Sequence, residues 1–262
     1  MAACGGSDVC PRPAGQWTSD RARIAARATV AVATGLVGSA CSSSFGAPTG
    51  GTDQAADMHR LWAIFFVAGL LVGGLTLGLI LWSIIRYRQR AGDTSLPPQF
   101  RQHVPIEIAY VAIPIGIVIA LFLLTVSAER RVDRVSATPD VVVSVQGFQW
   151  QWRFDYQDLG VTVIGTPDHE PTLVLPESET VLIELTSADV IHSFFVPGFL
   201  FKRDAVPGIV NRFEIVPSTV GVYRGECAEF CGLGHASMNF AVQIVSPDDF
   251  RTWATTQGGA AP

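Results

Sequence analysis

The sequence predicts a two-helix transmembrane hairpin followed by an all-β domain. Two runs carry the first half of that prediction: no residue is charged from Leu61 to Ile85 or from Ile108 to Ala128. A spanning helix needs roughly 20 predominantly apolar residues, and both runs are long enough. A buried helix pair in a soluble core is the other reading, but core helices are usually shorter and keep a polar face. A mean hydropathy of +0.34 with only 16% charged residues agrees with spans. The second half rests on texture. From Val141 onward, short β-branched and aromatic runs alternate with Gly, Pro, Asp and Ser turns.

Before the hairpin, residues 1–41 read as a signal peptide. Arg21, Arg23 and Arg27 precede a short Ala-, Val- and Gly-rich run from Ala28 to Ala40, too short to span. It ends Leu36-Val37-Gly38-Ser39-Ala40-Cys41, and small residues just before a Cys resemble a bacterial lipoprotein cleavage site. Gly38 stands where Leu is usual. Three outcomes stay open: cleavage with lipidation of Cys41, ordinary cleavage, and no cleavage. Residues 42–58, rich in Ser, Gly and Thr, read as a linker.

The hairpin is expected over residues 59–134, with helices at about 61–85 and 106–128. The connecting loop holds Arg86, Arg88, Arg90 and Arg101 against Asp93, so the positive-inside rule makes it cytoplasmic. The N-terminus and the β-domain then both lie outside, as a secretory signal requires. Arg130, Arg131 and Arg134 after the second helix count against this orientation. The opposite one would trap a signal-bearing N-terminus in the cytoplasm. The chain is therefore expected in a bacterial cell membrane as a multi-pass protein, in contact with lipid, with its β-domain extracytoplasmic.

That domain is expected over 135–250, with a tail at 251–262. Candidate strands are Val141–Val145, Gln149–Tyr156, Thr172–Leu175, Thr180–Thr186, Arg212–Val216 and Phe240–Val245, and Asp248–Thr255 reads as a short helix. Many short strands at close spacing suggest a sandwich or barrel. Residues 1–134 hold 12 Arg against 8 acids, and residues 135–262 hold 6 Lys or Arg against 15 acids. An acidic domain favours a basic partner, although solubility alone is also served. No nucleic-acid partner is expected.

Of five cysteines, Cys4, Cys10 and Cys41 precede the hairpin, and only Cys227 and Cys231 lie in the β-domain. An odd total argues against a disulfide framework. A single Cys227–Cys231 disulfide remains open on spacing. The segment Cys227-Ala228-Glu229-Phe230-Cys231-Gly232-Leu233-Gly234-His235-Ala236-Ser237-Met238 presents two thiols, an imidazole and a thioether, and His192 lies 35 residues before Cys227. A Cys pair alone is more often a disulfide or a zinc half-site, a lone His a core or surface residue, a Met packing. Zinc could take two Cys and two His, which leaves Met238 unexplained. Two His, one Cys and a weak axial Met make the blue-copper set, and the extra thiolate can bridge a second metal. Cys227 and Cys231 can then bridge two coppers, His192 and His235 give one imidazole each, Met238 serves one ion, and the Glu229 carbonyl can serve the other.

With this spacing, His192 and Cys-x-Glu-x-Cys-x-x-x-His-x-x-Met resemble the CuA signature of cytochrome c oxidase subunit II. The stretches Ser187–Phe194 and Lys202-Arg203-Asp204-Ala205-Val206-Pro207-Gly208 are similar to that family's as well. The resemblance spans roughly residues 60–255. It implies a cupredoxin-like fold and a binuclear copper centre held by His192, Cys227, the Glu229 carbonyl, Cys231, His235 and Met238. It implies electron transfer from a c-type cytochrome to haem in subunit I, for reduction of oxygen to water coupled to proton pumping. The chain would be an enzyme subunit without an oxygen-reducing site of its own, working beside subunit I and the other oxidase subunits.

Three further roles follow from the resemblance. Gly147-Phe148-Gln149-Trp150-Gln151-Trp152 resembles the family's aromatic strand, which makes Trp150 the residue where electrons come in. A core pair, Trp150 and Trp152 at period two, is the other reading. The Glu229 side chain would help bind a magnesium ion at the interface with subunit I. Glu107, with Pro114 seven residues on, resembles the carboxylate at a proton-pathway entrance, although Tyr110 replaces a Trp. A helix-start carboxylate favoured by the dipole is the alternative. Phe148 and Phe194 stand where some members have His and Trp. No Cys-x-x-Cys-His haem site occurs, so no cytochrome c is fused here. A copper-delivery protein and a quinol oxidase subunit share parts of this pattern. The first usually has one anchor and a βαβ pattern, and the second lacks the copper ligands.

Overall fold

A computed structural model of the chain describes residues 46–47, 50–89, 92, 99 and 101–258. The signal-peptide reading, with Cys4, Cys10 and Cys41, lies outside them. Helix α1 spans Asp53–Arg86 and α2 spans Val104–Val132. Both are long and apolar enough to cross a membrane. Their side chains point outward: Leu71 is 69% exposed and Ile85 78%. In water such surfaces would be covered, so this face suits lipid or other membrane helices.

Helix α1 begins well before Leu61 and takes in residues 53–58 of the expected linker. The Thr52 hydroxyl caps it, accepting from Ala55 N at 3.1 Å, and Asp53 sits in the first turn where the dipole favours an acid. At 1.5 Å per residue the helix is about 50 Å long, more than the roughly 30 Å of a hydrocarbon core, so it extends beyond the length a span needs. In that outer stretch Asp57 meets Arg131 of α2 at 3.1 Å. Arg131, one of the cations that argued against the expected orientation, is thus held in an interhelical pair.

Ten strands follow among the described residues. They are β1 Val141–Phe148, β2 Gln151–Tyr156, β3 Val161–Ile164, β4 Thr172–Pro176, β5 Val181–Ser187, β6 His192–Val196, β7 Phe201–Ala205, β8 Asn211–Ile215, β9 Gly221–Cys227 and β10 Asn239–Val245. They form two five-stranded sheets, ordered β3-β2-β1-β5-β8 and β4-β10-β9-β6-β7. The pairs β1–β5 and β4–β10 are parallel and the others antiparallel. Inward and outward residues alternate along β1, β2 and β5, as two sheets packed face to face require. The core runs from Val141 to Phe250, with Trp152, Phe154, Phe194, Phe213 and Phe240 at its centre. The expected all-β architecture is therefore a β-sandwich.

Three differences from the sequence reading have physical causes. The expected strand Gln149–Tyr156 is shortened to Gln151–Tyr156: Phe148 pairs with Gln151, and Gln149-Trp150 is a two-residue hairpin turn. Strands β3, β6, β7 and β9 escaped notice because they are short or carry charges and glycine, and only pairing with neighbours makes them strands. Residues 251–258 of the expected tail belong to helix α3, Pro247–Gly258, whose Trp253 ring lies 5.0 Å from Tyr156.

Two carboxylates staple the first sheet. Asp140 accepts from the Thr180 hydroxyl at 2.6 Å and from Thr180 N at 2.8 Å, which holds its pKa below the ordinary value. Glu184 is held low by hydrogen bonds from Arg212 and Gln157, each at 2.9 Å. A carboxylate with a depressed folded pKa adds stability above its unfolded pKa, which is lost as pH falls through the folded value. The urea midpoint should therefore drop as pH falls below about 4. An Asp140→Asn/Glu184→Gln chain should show a shallower acid limb. An unchanged limb would remove these two groups as its cause.

Candidate metal centre

Strand pairing brings the donors together. β9 and β10 pair antiparallel, so the loop between them starts at Cys227 and closes at Met238, with Cys227 N donating to Met238 O at 3.0 Å. β6 lies on the other side of β9 with Phe194 opposite Cys227, which sets His192 beside the loop. Ala228 N donates to Ser193 O at 3.1 Å and locks the loop onto β6.

The ligand atoms of His192, Cys227 and Cys231 all lie within 4.8 Å of one another. His192 Nδ1 is 3.9 Å from Cys227 Sγ, and His235 Nδ1 is 3.7 Å from Cys231 Sγ. Met238 Sδ stands 3.8 Å from Cys231 Sγ, and the Glu229 carbonyl oxygen 3.3 Å from Cys227 Sγ. His192 and Met238 have no exposed surface, and both cysteines are buried. The two sulfurs are 3.8 Å apart and free, which closes the disulfide alternative.

Electrostatics say what this group lacks. Burial resists ionising either thiol, but His192, the Glu229 and Ser193 backbone groups and His235 overcome it at Cys227 and bring its pKa down. At Cys231, burial and the neighbouring Cys227 charge act together and push the pKa up. Two thiolates this close need positive charge between them. A cation meets that need, and thiolate, imidazole and thioether are the donors that soft metals prefer. The sulfur–sulfur distance is also less than two metal–sulfur bonds of roughly 2.3 Å. One ion can therefore touch both sulfurs from beside the line joining them. The donor set fits a soft metal bound by thiolate, imidazole and thioether.

A carboxylate that the sequence reading did not single out orients the buried imidazole. Asp189 Oδ1 lies 2.8 Å from His192 Nε2, so Nε2 carries the proton and Nδ1 faces the sulfurs. Burial would raise the Asp189 pKa, but His192 and the N–H groups of Val190 and Gln149 hold it low. Burial would lower the His192 pKa, and Cys227 with Asp189 raise it instead. Asp189 sits three residues before His192, and that spacing was the available signal.

Trp150 is in the β1–β2 turn, half-buried, while Trp152 is in the core, so the two do not form a core pair. Trp150 Nε1 donates to the Cys231 carbonyl at 3.1 Å, and Gln149 Nε2 donates to the same oxygen at 2.8 Å. Glycines permit this contact. A Cβ on Gly234 would lie 2.6 Å from the Trp150 ring, and Gly232 has a φ of +118°. A Cβ on Gly147 would lie 3.0 Å from His192. Nothing in the spacing of these glycines marks them in the sequence, since only the folded loop brings the rings against them.

The Glu229 side chain is about half exposed and reaches Lys202 at 3.4 Å, while its carbonyl faces Cys227. Glu107 is not part of this group. It lies in the first turn of α2, where its Oε1 accepts from His103 N at 3.0 Å, at the opposite end of that helix from the β-domain.

Comparison with known proteins adds three findings. Residues 141–245 match the family described as cytochrome c oxidase subunit II, periplasmic domain. The chain is 37% identical to a probable cytochrome c oxidase subunit 2 of Streptomyces avermitilis over 244 residues, covering 79% of this chain and 76% of the relative. It is 33% identical to cytochrome c oxidase subunit 2 of Mycobacterium bovis, covering 82% and 76%. Among solved structures, the periplasmic domain of subunit II of cytochrome oxidase from Bradyrhizobium japonicum is 30% identical, with a TM-score of 0.44, covering 48% of this chain and 98% of that one.

The Asp189 contact makes a quantitative prediction. Asp189→Asn keeps the shape and removes the charge that orients His192. Copper affinity, measured by chelator competition, should fall about 10- to 100-fold at unchanged stoichiometry. Unchanged affinity would show that His192 needs no such partner.

Proposed function

This chain belongs to the cytochrome c oxidase subunit II family, and from that premise we propose that its β-domain holds the binuclear CuA centre of a respiratory oxidase. One observation carries the reading: four donor atoms converge on two free, buried cysteine sulfurs 3.8 Å apart. Cys227 and Cys231, with one imidazole each from His192 and His235, the Met238 thioether and the Glu229 carbonyl, would hold the copper pair. When bound, the copper pair supplies one-electron exchange with the charge shared over two ions.

The protein's own groups make that exchange inexpensive in reorganisation. Asp189 holds His192 in one tautomer and one orientation. The ladder between β9 and β10 closes the loop at both ends, and burial of His192 and Met238 keeps water away from the donors. Trp150 gives the electron its way in: its ring meets solvent on one side, and its N–H reaches the carbonyl of the bridging Cys231. A c-type cytochrome is the donor, consistent with the acidic β-domain, and haem in subunit I is the acceptor. Oxygen reduction and proton pumping belong to the assembled complex.

Two further roles are part of the proposal. The Glu229 carboxylate, turned away from the copper donors, helps bind a magnesium ion shared with subunit I. Glu107 stands at a proton-pathway entrance on the side of the Arg-rich loop. Both helices cross a bacterial cell membrane, with lipid around them and the β-domain outside.

The core of the β-domain comprises only residues between Val141 and Phe250, so residues 135–262 should fold alone. Copper loading of that fragment should give two coppers per chain. Its electron paramagnetic spectrum should show hyperfine splitting from two equivalent nuclei sharing one unpaired electron. Cys227→Ser and Cys231→Ser should each lose that signal. One copper with a mononuclear spectrum, or zinc in its place, would overturn the reading. In the complete oxidase, Trp150→Phe should keep the copper content and slow electron uptake from the cytochrome. Unchanged uptake would take that role from Trp150.

A further inference from the structure

The residues just before α1 form a strap on the β-domain. Gly51 N donates to Gly198 O at 2.9 Å, and the Gly51 carbonyl accepts from Ser218 N at 2.9 Å. Asp53 N donates to Val216 O at 3.0 Å, and Gln54 Oε1 accepts from Val216 N at 3.1 Å. These bonds pair Thr52 with Pro217 as antiparallel strand partners. The ladder bonds fall on residues 216 and 218, so the proline sits at the one position where no N–H is needed.

The strap is also clamped by a ring. A Cβ on Gly51 would lie 2.5 Å from the Tyr223 ring, and one on Gly198 would lie 2.6 Å from it. Only glycine at both positions leaves room for Tyr223 between them. Thr52 is 2% exposed and serves both structures at once: it is the sheet partner of Pro217 and the N-cap of α1. No free residue separates sheet from helix.

The place of attachment matters. β6 starts at His192 and runs toward Gly198, while β9 runs from Gly221 past Tyr223 and ends at Cys227. The strap therefore grips the ends of the two ligand-bearing strands that lie opposite the metal donors. From Tyr223 to Cys227 is about 13 Å of strand at roughly 3.3 Å per residue. On its other side the hairpin is tied by Asp133 to Arg203 at 2.7 Å and by Ser136 N to Glu214 at 2.7 Å.

We propose that Gly51 and Thr52 are positioning residues that pin β6 and β9 to the membrane hairpin, so that the donors at the far ends of those strands keep a fixed place relative to the membrane helices. The functional consequence rests on the electron-relay reading; the mechanical one does not. Electron transfer onward into the membrane partner depends on that placement, whereas metal binding and uptake through Trp150 depend only on the β-domain.

The test uses the intact oxidase with spin labels introduced as non-natural residues at Ala56 and Asp158, leaving Cys227 and Cys231 untouched. The native distance distribution should be narrow, and Gly51→Ala should broaden it. The onward electron-transfer rate should fall, because transfer between separate centres weakens steeply as their distance and orientation spread. Copper spectrum and uptake rate should stay unchanged. Gly51→Ala combined with Tyr223→Ala should recover part of both distance and rate, because the ring struck by the added methyl is gone while the strap's hydrogen bonds remain. Gln54→Ala, which removes one strap bond, should give a milder version of the same pattern. A narrow distribution in Gly51→Ala and Gln54→Ala would overturn the strap. A broad one with an unchanged onward rate would overturn its positioning role. Absence of electron transfer in the native complex would count against the relay reading, and the distances would still decide the strap.

Discussion

Two unjoined sulfurs 3.8 Å apart in a buried loop are the constraint on which the rest of this site depends. Ionising both without a cation is opposed by burial and by their mutual repulsion, and the opposed pKa directions of Cys227 and Cys231 express that conflict. Everything around them either tolerates or relieves it. The imidazoles of His192 and His235 offer lone pairs toward the same space. Asp189 lends its charge to the far side of His192, away from the sulfurs. A loop built this way is poised for positive charge, which is the physical content of a metal site.

The scaffold makes that loop rigid by ordinary means. Antiparallel pairing of β9 with β10 closes it, and pairing of β9 with β6 adds the donor that is distant in sequence. Glycines at 147, 232 and 234 then let an imidazole and an indole approach the backbone more closely than any side chain would permit. Trp150 is thereby bound to the loop by a hydrogen bond and by contact. Its place in a hairpin turn, rather than on the strand with Trp152, leaves part of the ring open to a partner.

The hairpin and the β-domain are joined by polar contacts at two places, residues 51–54 and residues 133–136. Such bonds are directional, and a sheet register is harder to slide than an apolar contact. The extra two turns of α1 beyond the apolar run serve this junction. They carry Asp57 to Arg131 and bring Thr52 to Pro217, just past the end of β8.

The sequence by itself indicated two helices of spanning length and the residues that the structure gathers around Cys227 and Cys231. Apolar length and the spacing of Cys, His and Met are local properties of the chain. It was also enough to suggest an all-β domain, since turn residues at close intervals leave no room for long helices. The start of α1 at Asp53 was hidden, because a cap and a sheet bridge at Thr52 extend a helix through residues that read as linker. Strands β7 and β9 were hidden too, since Lys202, Arg203 and Gly225 join a sheet only when neighbours supply the ladder. Only the tertiary structure decided that Asp189 faces His192, that Trp150 touches Cys231 and that Thr52 meets Pro217. Each of these contacts joins segments whose approach depends on strand register, and register is settled by packing across two sheets rather than by any one segment.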